Sequence, residues 1–150
     1  MAVLNYTTQI EVSKTIGEVQ RMLAEHGANR IGIEYADKQP SAISFEITTE
    51  TGTGVFTLPV NVAAMNKLLV QQARAGKLKS VSRAVAESRE HAARVAWRVI
   101  KDWLEAQLAL IETRMVTFDQ VMLPYMRLGE LTVYEEFLSQ RALTSGTDVR

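Results

Sequence analysis

The chain has 150 residues, of which 47% are hydrophobic and 23% are charged, and its formal net charge at pH 7 is zero. This length fits one domain, or one small domain with a helical extension, and it can bury a core without covalent staples. The sequence contains no cysteine, which excludes disulfides, thiolate zinc sites, iron–sulfur clusters and a cysteine nucleophile.

The first six residues contain no basic segment followed by an apolar run, so a signal peptide is not predicted. The longest apolar stretches are interrupted by Lys101, Asp102 and Glu105. They fall short of the roughly 20 apolar residues that a transmembrane helix needs. We therefore expect a cytoplasmic protein with no membrane partner.

The N-terminal segment predicts one strand and one helix. Residues 5–11 carry Tyr, Thr and Ile at every second position, which is typical of a strand. Thr15 and Glu18 have the spacing of a capping box. This box predicts a helix over about residues 16–26, ended by the glycine that follows.

Three further segments alternate between apolar and polar residues and predict strands joined by short turns. They are residues 31–36, 43–48 and 55–59. The period then changes to 3.6, so that Asn61 is expected to cap a helix that stops near Gly76. The expected fold class is α+β, with an N-terminal β-α-β-β-β antiparallel sheet unit over residues 1–75, followed by a long helix and short C-terminal helices.

The second half of the chain predicts helices after a short connection. Residues 76–83 are rich in Gly, Ser and Lys and predict a basic linker. From about Arg83 to Thr113 there is no Gly or Pro, which predicts one helix of about 30 residues, roughly 45 Å long. A helix of that length exceeds the diameter of a small domain, so part of it is expected to project or to pack against another chain.

Two capping boxes follow the long helix. Thr117 and Thr132 each precede a Gln or Glu by three residues, which predicts two short helices. The helical region is therefore expected to cover residues 84–143, and residues 144–150 are expected to form a frayed tail.

The predicted long helix carries two adjacent apolar stripes, which together are wider than a single packed face requires. Two tryptophans lie within them. This width favours self-association, so a homo-oligomer is expected. The residues predicted to lie at the interface between copies are Trp97, Ile100, Trp103, Leu104 and Leu108.

Charge is unevenly distributed along the chain. Between Lys67 and Lys101 nine basic residues stand against two acidic ones, whereas residues 1–66 have a net charge of −3 and residues 102–150 a net charge of −4. A segment of this kind attracts anions. The residues predicted to bind nucleic acid or another anion are Lys77, Lys79, Ser80, Ser82, Arg83, Arg89, Arg94 and Arg98.

Two interpretations of this basic segment stay open. Lysine and arginine at this density suit phosphate contacts whose affinity falls with salt. Aromatic side chains that could stack on bases are few, since Tyr35 and Phe45 share the apolar phase of their strands and are predicted to lie in the core. Alternatively, the bases pair with the acidic ends of the chain, either within one copy or across an oligomer interface.

No catalytic or metal-binding constellation is predicted. His26 and His91 are the only histidines, and neither has a second ligand at metal-binding spacing. Glu34 and Glu46 fall on the polar face of neighbouring strands, where an ordinary solvated face is commoner than a catalytic pair. The glycine-rich segment 51–54 lacks the Lys-Ser/Thr of a phosphate loop. We therefore expect neither an enzyme nor a cofactor.

Several runs of the sequence are similar to a known group of proteins. They are residues 93–112, Met122–Met126, Thr132–Glu135 and Asn29–Tyr35. Together they resemble a family of small, uncharacterised proteins of tailed bacteriophages and prophages. The resemblance implies a viral accessory protein that acts in the cytoplasm of a bacterial host cell. It assigns a role to no residue.

The sequence favours a non-enzymatic phage accessory protein that binds DNA or RNA through the basic linker and helix face. The alternative is an oligomeric protein–protein interaction module that inhibits a bacterial host protein or defence factor. A third hypothesis is a pocket at the interface between copies that sequesters a small anionic nucleotide with the same arginines.

Overall fold

A computed structural model gives the structure of residues 1–148, with side chains described through Thr144. These residues form an α+β fold with a three-stranded antiparallel sheet, a two-stranded sheet and helices. The strands are β1 (Arg30–Ala36), β2 (Gln39–Thr49), β3 (Gly52–Pro59), β4 (Arg127–Leu128) and β5 (Leu131–Thr132). The helices are α1 (Val12–Glu25), α2 (Val62–Arg74), α3 (Arg83–Ala86), α4 (Arg89–Glu112), α5 (Phe118–Met122) and α6 (Val133–Asp148), with a 3₁₀ turn at Leu123–Tyr125.

The larger sheet is a meander in the order β1-β2-β3, and it confirms the three strands predicted from alternation. Its register pairs Ile31 with Phe45 and Phe45 with Phe56, which places the apolar side chains of the three strands on one face. The rings of Phe45 and Phe56 stack at 5.6 Å, and Phe118 of α5 meets both edge-on. The C-terminal region therefore packs directly on the N-terminal sheet.

The predicted first strand is wrong. Residues 4–7 form a turn and residues 8–11 have no regular structure. The segment is held by contacts with helices instead of a sheet. The Val3 N–H donates to Oε1 of Gln72 at 2.9 Å, and the Tyr6 carbonyl oxygen lies 2.6 Å from Nε2 of His91. The backbone of this segment is thus anchored to α2 and α4.

Helix α1 begins four residues earlier than the predicted capping box requires. Its N-cap residue is Glu11, whose side chain makes no capping hydrogen bond. Thr15 lies inside the helix and is fully buried. Thr15 and Glu18 therefore do not form a capping box. Both side chains instead contact Arg98 of α4.

The sheet unit and the helical region share one hydrophobic core. Trp97 at the centre of α4 is fully buried between them. The buried members of this core are Val19, Leu23, Ile43, Phe45, Ile47, Phe56, Leu58, Val60, Ala96, Trp97, Leu104, Leu108 and Met122. Residues 1–75 and 84–143 consequently do not have separate cores.

The sharing of this core corrects the argument for an oligomer interface. Trp97, Leu104 and Leu108 have almost no exposed surface within a single copy, and Ile100 and Trp103 pack partly buried against the same core. The wide apolar surface of α4 packs within a single copy of the chain. The burial of these five residues therefore gives no reason to expect a second copy. Association between copies stays a prediction that needs a different surface.

The predicted long helix is two helices. A break at Glu87 and Ser88 separates the four-residue α3 from the 24-residue α4. Oγ of Ser88 accepts the His91 N–H at 3.1 Å and donates to the Val85 carbonyl at 2.8 Å. Because one serine hydroxyl bonds the backbone of both α3 and α4, this position favours the start of a new helix over a continuous helix. At 1.5 Å per residue, α4 spans about 36 Å.

Both C-terminal capping boxes are confirmed. Thr117 exchanges hydrogen bonds with Gln120, and Thr132 exchanges them with Glu135. Helix α6 extends to Asp148, beyond the start of the predicted frayed tail at residue 144. Residues 149–150 of that predicted tail lie outside the described residues. Within the part of the chain that the structure describes, no helix is both long and apolar enough to cross a bilayer.

Candidate nucleic-acid interface

The basic segment divides into an exposed part and a half-buried part. From residue 67 to residue 89 there are six basic residues and one acidic residue, Glu87. All six bases are exposed, and they are Lys67, Arg74, Lys77, Lys79, Arg83 and Arg89. They belong to α2, the loop 75–82, α3 and the first residue of α4, so they follow one continuous stretch of structure. We call this set the basic surface.

A single carboxylate serves two of these bases. Nε of Arg74 and Nε of Arg83 lie 3.4 and 3.3 Å from the same Oε1 of Glu87. Asn66 donates to the backbone carbonyl of Glu87 at 3.0 Å and fixes the position of this residue between α2 and α4. One negative charge offsets one of the two arginines, so the basic surface keeps a large positive excess.

Lys77 and Lys79 lie in the loop between α2 and α3, and neither forms an ion pair with a described side chain. The loop is tied to the rest of the molecule at two points. The Lys77 N–H donates to the Gln72 carbonyl at 3.0 Å, and Leu78 packs against a cluster around Leu69 and Val95. The two ammonium groups are therefore held on an anchored loop and are available to an anion.

The two predicted serines have different environments. Ser82 is the N-cap of α3, and its Oγ accepts the Val85 N–H at 3.3 Å. Ser80 is exposed and has a positive φ of 66°. Of these two serines, only Ser80 has a hydroxyl with no hydrogen bond to a described residue.

Arg94 and Arg98 do not join the basic surface. The side chain of Arg98 is 13% exposed and donates to the carboxylate of Glu18, with Oγ1 of Thr15 at 3.3 Å. Arg94 is 14% exposed, and its Nη1 lies 3.2 Å from Glu90. Both arginines are predicted to bind an anion along the helix face, but in the structure both side chains are largely buried and already paired with a carboxylate.

The polar cluster formed by Thr15, Glu18 and Arg98 was not predicted from the sequence. A signal for it was present, because residues three apart on a helix share a face. Thr15 and Glu18 face α4 together, and the spacing that suggested a capping box instead places two hydrogen-bond acceptors under one guanidinium.

The basic surface contains no aromatic residue, since the sequence has none between Phe56 and Trp97. Phe45 lies in the core as predicted, but Tyr35 is exposed rather than buried. A protein that stacks nucleobases presents several aromatic side chains beside its charges. The chemistry of this surface therefore suits phosphates and not bases.

Neither histidine has a metal-binding environment. His91 is buried beside the Tyr6 carbonyl oxygen, and Nε2 of His26 lies 3.0 Å from Oε1 of Glu112. Among the residues that the structure describes, no group of three or more His, Asp or Glu side chains is placed to hold a metal ion.

The chain has no significant match among protein-family models, curated proteins or solved structures.

Proposed function

We propose that this chain is a non-enzymatic nucleic-acid-binding protein that contacts DNA or RNA through the basic surface. The observation that carries the proposal is that all six bases are exposed and that only two of them, Arg74 and Arg83, pair with the carboxylate of Glu87. In the setting that the phage resemblance implies, such a protein acts as an accessory factor inside a bacterial host cell.

The chemistry of the basic surface favours contacts with the phosphate backbone. Lysine ammonium groups act as point charges on phosphates, and arginines add paired hydrogen bonds. Each phosphate that is neutralised releases counterions, so the logarithm of the binding constant falls with the logarithm of salt with a slope of about −0.9 per contact on duplex DNA. With no aromatic residue in the surface, little preference among base sequences is expected.

The test is fluorescence anisotropy of labelled single- and double-stranded oligonucleotides of equal length across a salt series. Binding at about 50 mM salt that weakens steeply by about 200 mM supports the proposal. The double variant Lys77→Gln/Lys79→Gln is expected to reduce the magnitude of the salt slope by about 2 on duplex DNA. Absence of binding at the lower salt concentration contradicts the proposal.

A matched control is available on the first helix. Lys14 and Arg21 are exposed on α1 and lie outside the basic surface. The variant Lys14→Gln/Arg21→Gln makes the same change in net charge. If it weakens binding as much as the lysine pair of the loop does, then net charge rather than the basic surface is responsible, and the proposed location is wrong.

A second function is favoured by the C-terminal helix, which presents a partly exposed apolar face. Tyr134, Phe137 and Leu138 are about half exposed and occupy one face of α6 at helical spacing. Leu128 and Leu131 of the adjacent hairpin are also exposed. Contiguous apolar surface of this kind is typical of a protein–protein contact.

We propose a second copy of the chain as the occupant of this face. Helix α6 begins with Glu135 and Glu136 and carries Arg141 on the face of Phe137. Antiparallel pairing of two α6 helices brings the acidic first turn of one copy towards Arg141 of the other, which gives a self-complementary, two-fold contact. A homodimer of this kind fits the alternative hypothesis of an interaction module.

Light scattering coupled to size-exclusion chromatography tests the dimer. The wild-type chain is expected to have twice the mass of one copy, and Phe137→Ser is expected to return it to a single copy. Tyr35→Ser removes an equally exposed ring from β1 and is expected to leave the dimer intact. A wild-type monomer would overturn the self-association proposal, and recovery of a bacterial protein bound through Phe137 would replace it with a host partner.

A further inference from the structure

A second anion site is suggested by a cavity whose lining does not include Lys77 or Lys79. The cavity has a volume of about 640 Å³ and lies where the first residues of α1, α2 and α4 meet the turn between β1 and β2. Its polar lining includes Glu11, Asp37, Asn61, Arg89, Glu90 and Arg94. Ligand sites typically have volumes of roughly 300–1,000 Å³, so the cavity is of a size that holds a small metabolite.

Arg94 gives this cavity its strongest anion-binding group. Its guanidinium has five N–H donors, and among the described residues only Nη1 has a protein partner, Glu90 at 3.2 Å. Its Nε is buried and has no hydrogen-bond partner. The side chain of Glu90 is 81% exposed, so water screens this pair. A half-buried guanidinium held by one solvated carboxylate keeps donors for a bidentate acceptor.

The backbone at the cavity also favours an anion. Helix α1 has no side-chain cap and α2 has no acidic residue in its first turn. Asn61 caps only the Ala64 N–H. The positive ends of these two helices therefore add partial positive charge to the charges of Arg89 and Arg94. The helix ends support the site but do not define it, because the largely buried arginine and the cavity itself are separate observations.

The carboxylates restrict what the ligand can be. Two arginines and three carboxylates line the cavity, so the lining as a whole does not favour a polyanion. Carboxylates accept hydrogen bonds from hydroxyl and amino groups. A complementary ligand has one anionic group for the arginines and neutral donors for Glu11 and Asp37.

We propose that the cavity binds a small phosphate monoester that carries hydroxyl or amino groups, of the size of a nucleoside monophosphate or a sugar phosphate. The phosphate lies at Arg94 and Arg89, and the donors lie at Glu11 and Asp37. This site shares Arg89 with the basic surface but does not involve Lys77 or Lys79, and it is contained within one copy of the chain.

Isothermal titration of the full chain with inorganic phosphate, nucleoside monophosphates, ribose 5-phosphate, the parent nucleosides and a nucleoside triphosphate tests the site. At least one monoester is expected to bind about tenfold more tightly than both inorganic phosphate and the unphosphorylated nucleosides, since only the monoester satisfies both parts of the lining. Equal binding by a nucleoside, tighter binding by the triphosphate, or no binding by any monoester overturns the proposal. The pattern among the monoesters distinguishes a nucleotide from a sugar phosphate.

Variants locate the site. Arg94→Gln is expected to weaken monoester binding by at least about tenfold through loss of the charged donor. Ala63 is exposed and lines the cavity, whereas its neighbour Ala64 is exposed and does not. Ala63→Phe therefore blocks the cavity without a change in charge, and Ala64→Phe is its control. Monoester binding that survives in Ala63→Phe, or is lost equally in Ala64→Phe, overturns the proposal even if Arg94→Gln does not fold. Lys77→Gln/Lys79→Gln should leave monoester binding unchanged, which separates a failure here from a failure of the nucleic-acid proposal.

Discussion

Arg98 of α4 donates a hydrogen bond to Glu18 of α1, and this contact joins the first helix to the centre of the molecule. The two residues are 80 positions apart in the sequence, and Oγ1 of buried Thr15 lies beside the same guanidinium. Because both side chains are less than a third exposed, the pair is shielded from solvent more than an ordinary surface ion pair. It fixes how α1 lies over α4.

Removing either partner should destabilise the fold. Arg98→Ala and Glu18→Ala are each expected to lower the free energy of unfolding by about 1.5–3 kcal/mol, because each leaves a charged group without its hydrogen-bond partner. A double-mutant cycle in urea should give a coupling energy of about 1 kcal/mol or more. Arg21→Ala, on the exposed side of α1, should change stability by less than about 0.5 kcal/mol. Additivity of the two single effects would contradict the contact.

Local sequence patterns predicted the local structure correctly wherever a pattern had a single physical cause. Alternation located β1, β2 and β3, because each strand buries one face on the helices. Three-residue spacing located the caps at Thr117 and Thr132. The same kinds of pattern failed at residues 5–11 and at Thr15, where side chains contact distant helices rather than their own segment.

Local sequence patterns could not predict which of the basic residues are exposed. Arg94 and Arg98 resemble Lys77 and Lys79 in sequence, since all four belong to one basic run. Their exposure differs because α1 packs across α4 and brings Glu18 to Arg98. This is a tertiary contact between segments that are far apart in the sequence. For the same reason, the width of the apolar stripes on α4 suggested a second copy, although the sheet and α1 of the same chain cover Trp97.

Trp97 provides a prediction that separates core from interface. Trp97→Ala should lower the free energy of unfolding by about 3–5 kcal/mol through loss of a buried aromatic side chain. Among the described residues the Trp97 indole N–H has no hydrogen-bond partner, so Trp97→Phe loses packing volume but no hydrogen bond and should cost clearly less. The measurement is urea denaturation combined with light scattering.

Light scattering decides between the two roles of Trp97. Trp97→Phe is expected to keep the mass of the wild-type assembly, because the residue is fully buried within one copy. If the mass falls in this variant while the circular dichroism spectrum is preserved, then Trp97 lies at an interface between copies.

Ser88 should determine where α4 begins. Its Oγ joins α3 to α4 by accepting from His91 and donating to Val85. Ser88→Ala is expected to lower the free energy of unfolding by about 1 kcal/mol. Ser13→Ala, at an exposed position of α1, removes a hydroxyl for which the structure shows no capping bond. If Ser88→Ala is no more destabilising than Ser13→Ala in thermal denaturation, the cap does not stabilise this helix start.

Glu135 should make the C-terminal capping box sensitive to acid. The Thr132 backbone N–H donates to Oε1 of Glu135 at 2.9 Å. This bond, the Thr132 side chain and the nearby Arg127 hold the pKa of Glu135 below its ordinary value of 4.5. A lowered pKa in the folded state contributes stability that is present above the ordinary value and is lost as the pH falls through the lowered one. Glu135→Gln keeps a capping acceptor but does not titrate.

The stability difference between wild type and Glu135→Gln should therefore be constant near neutral pH and should shrink below about pH 4.5. Urea denaturation at a series of pH values measures this difference, and a carbon-detected NMR titration of the Glu135 carboxyl gives its pKa directly. Glu130→Gln, in the turn just before the box, makes the same charge change without touching Thr132 and corrects for the general effect of charge. An NMR pKa at or above 4.5 would show that the Thr132 hydrogen bond does not stabilise the carboxylate, and the start of α6 would then depend on packing against the β4–β5 hairpin alone.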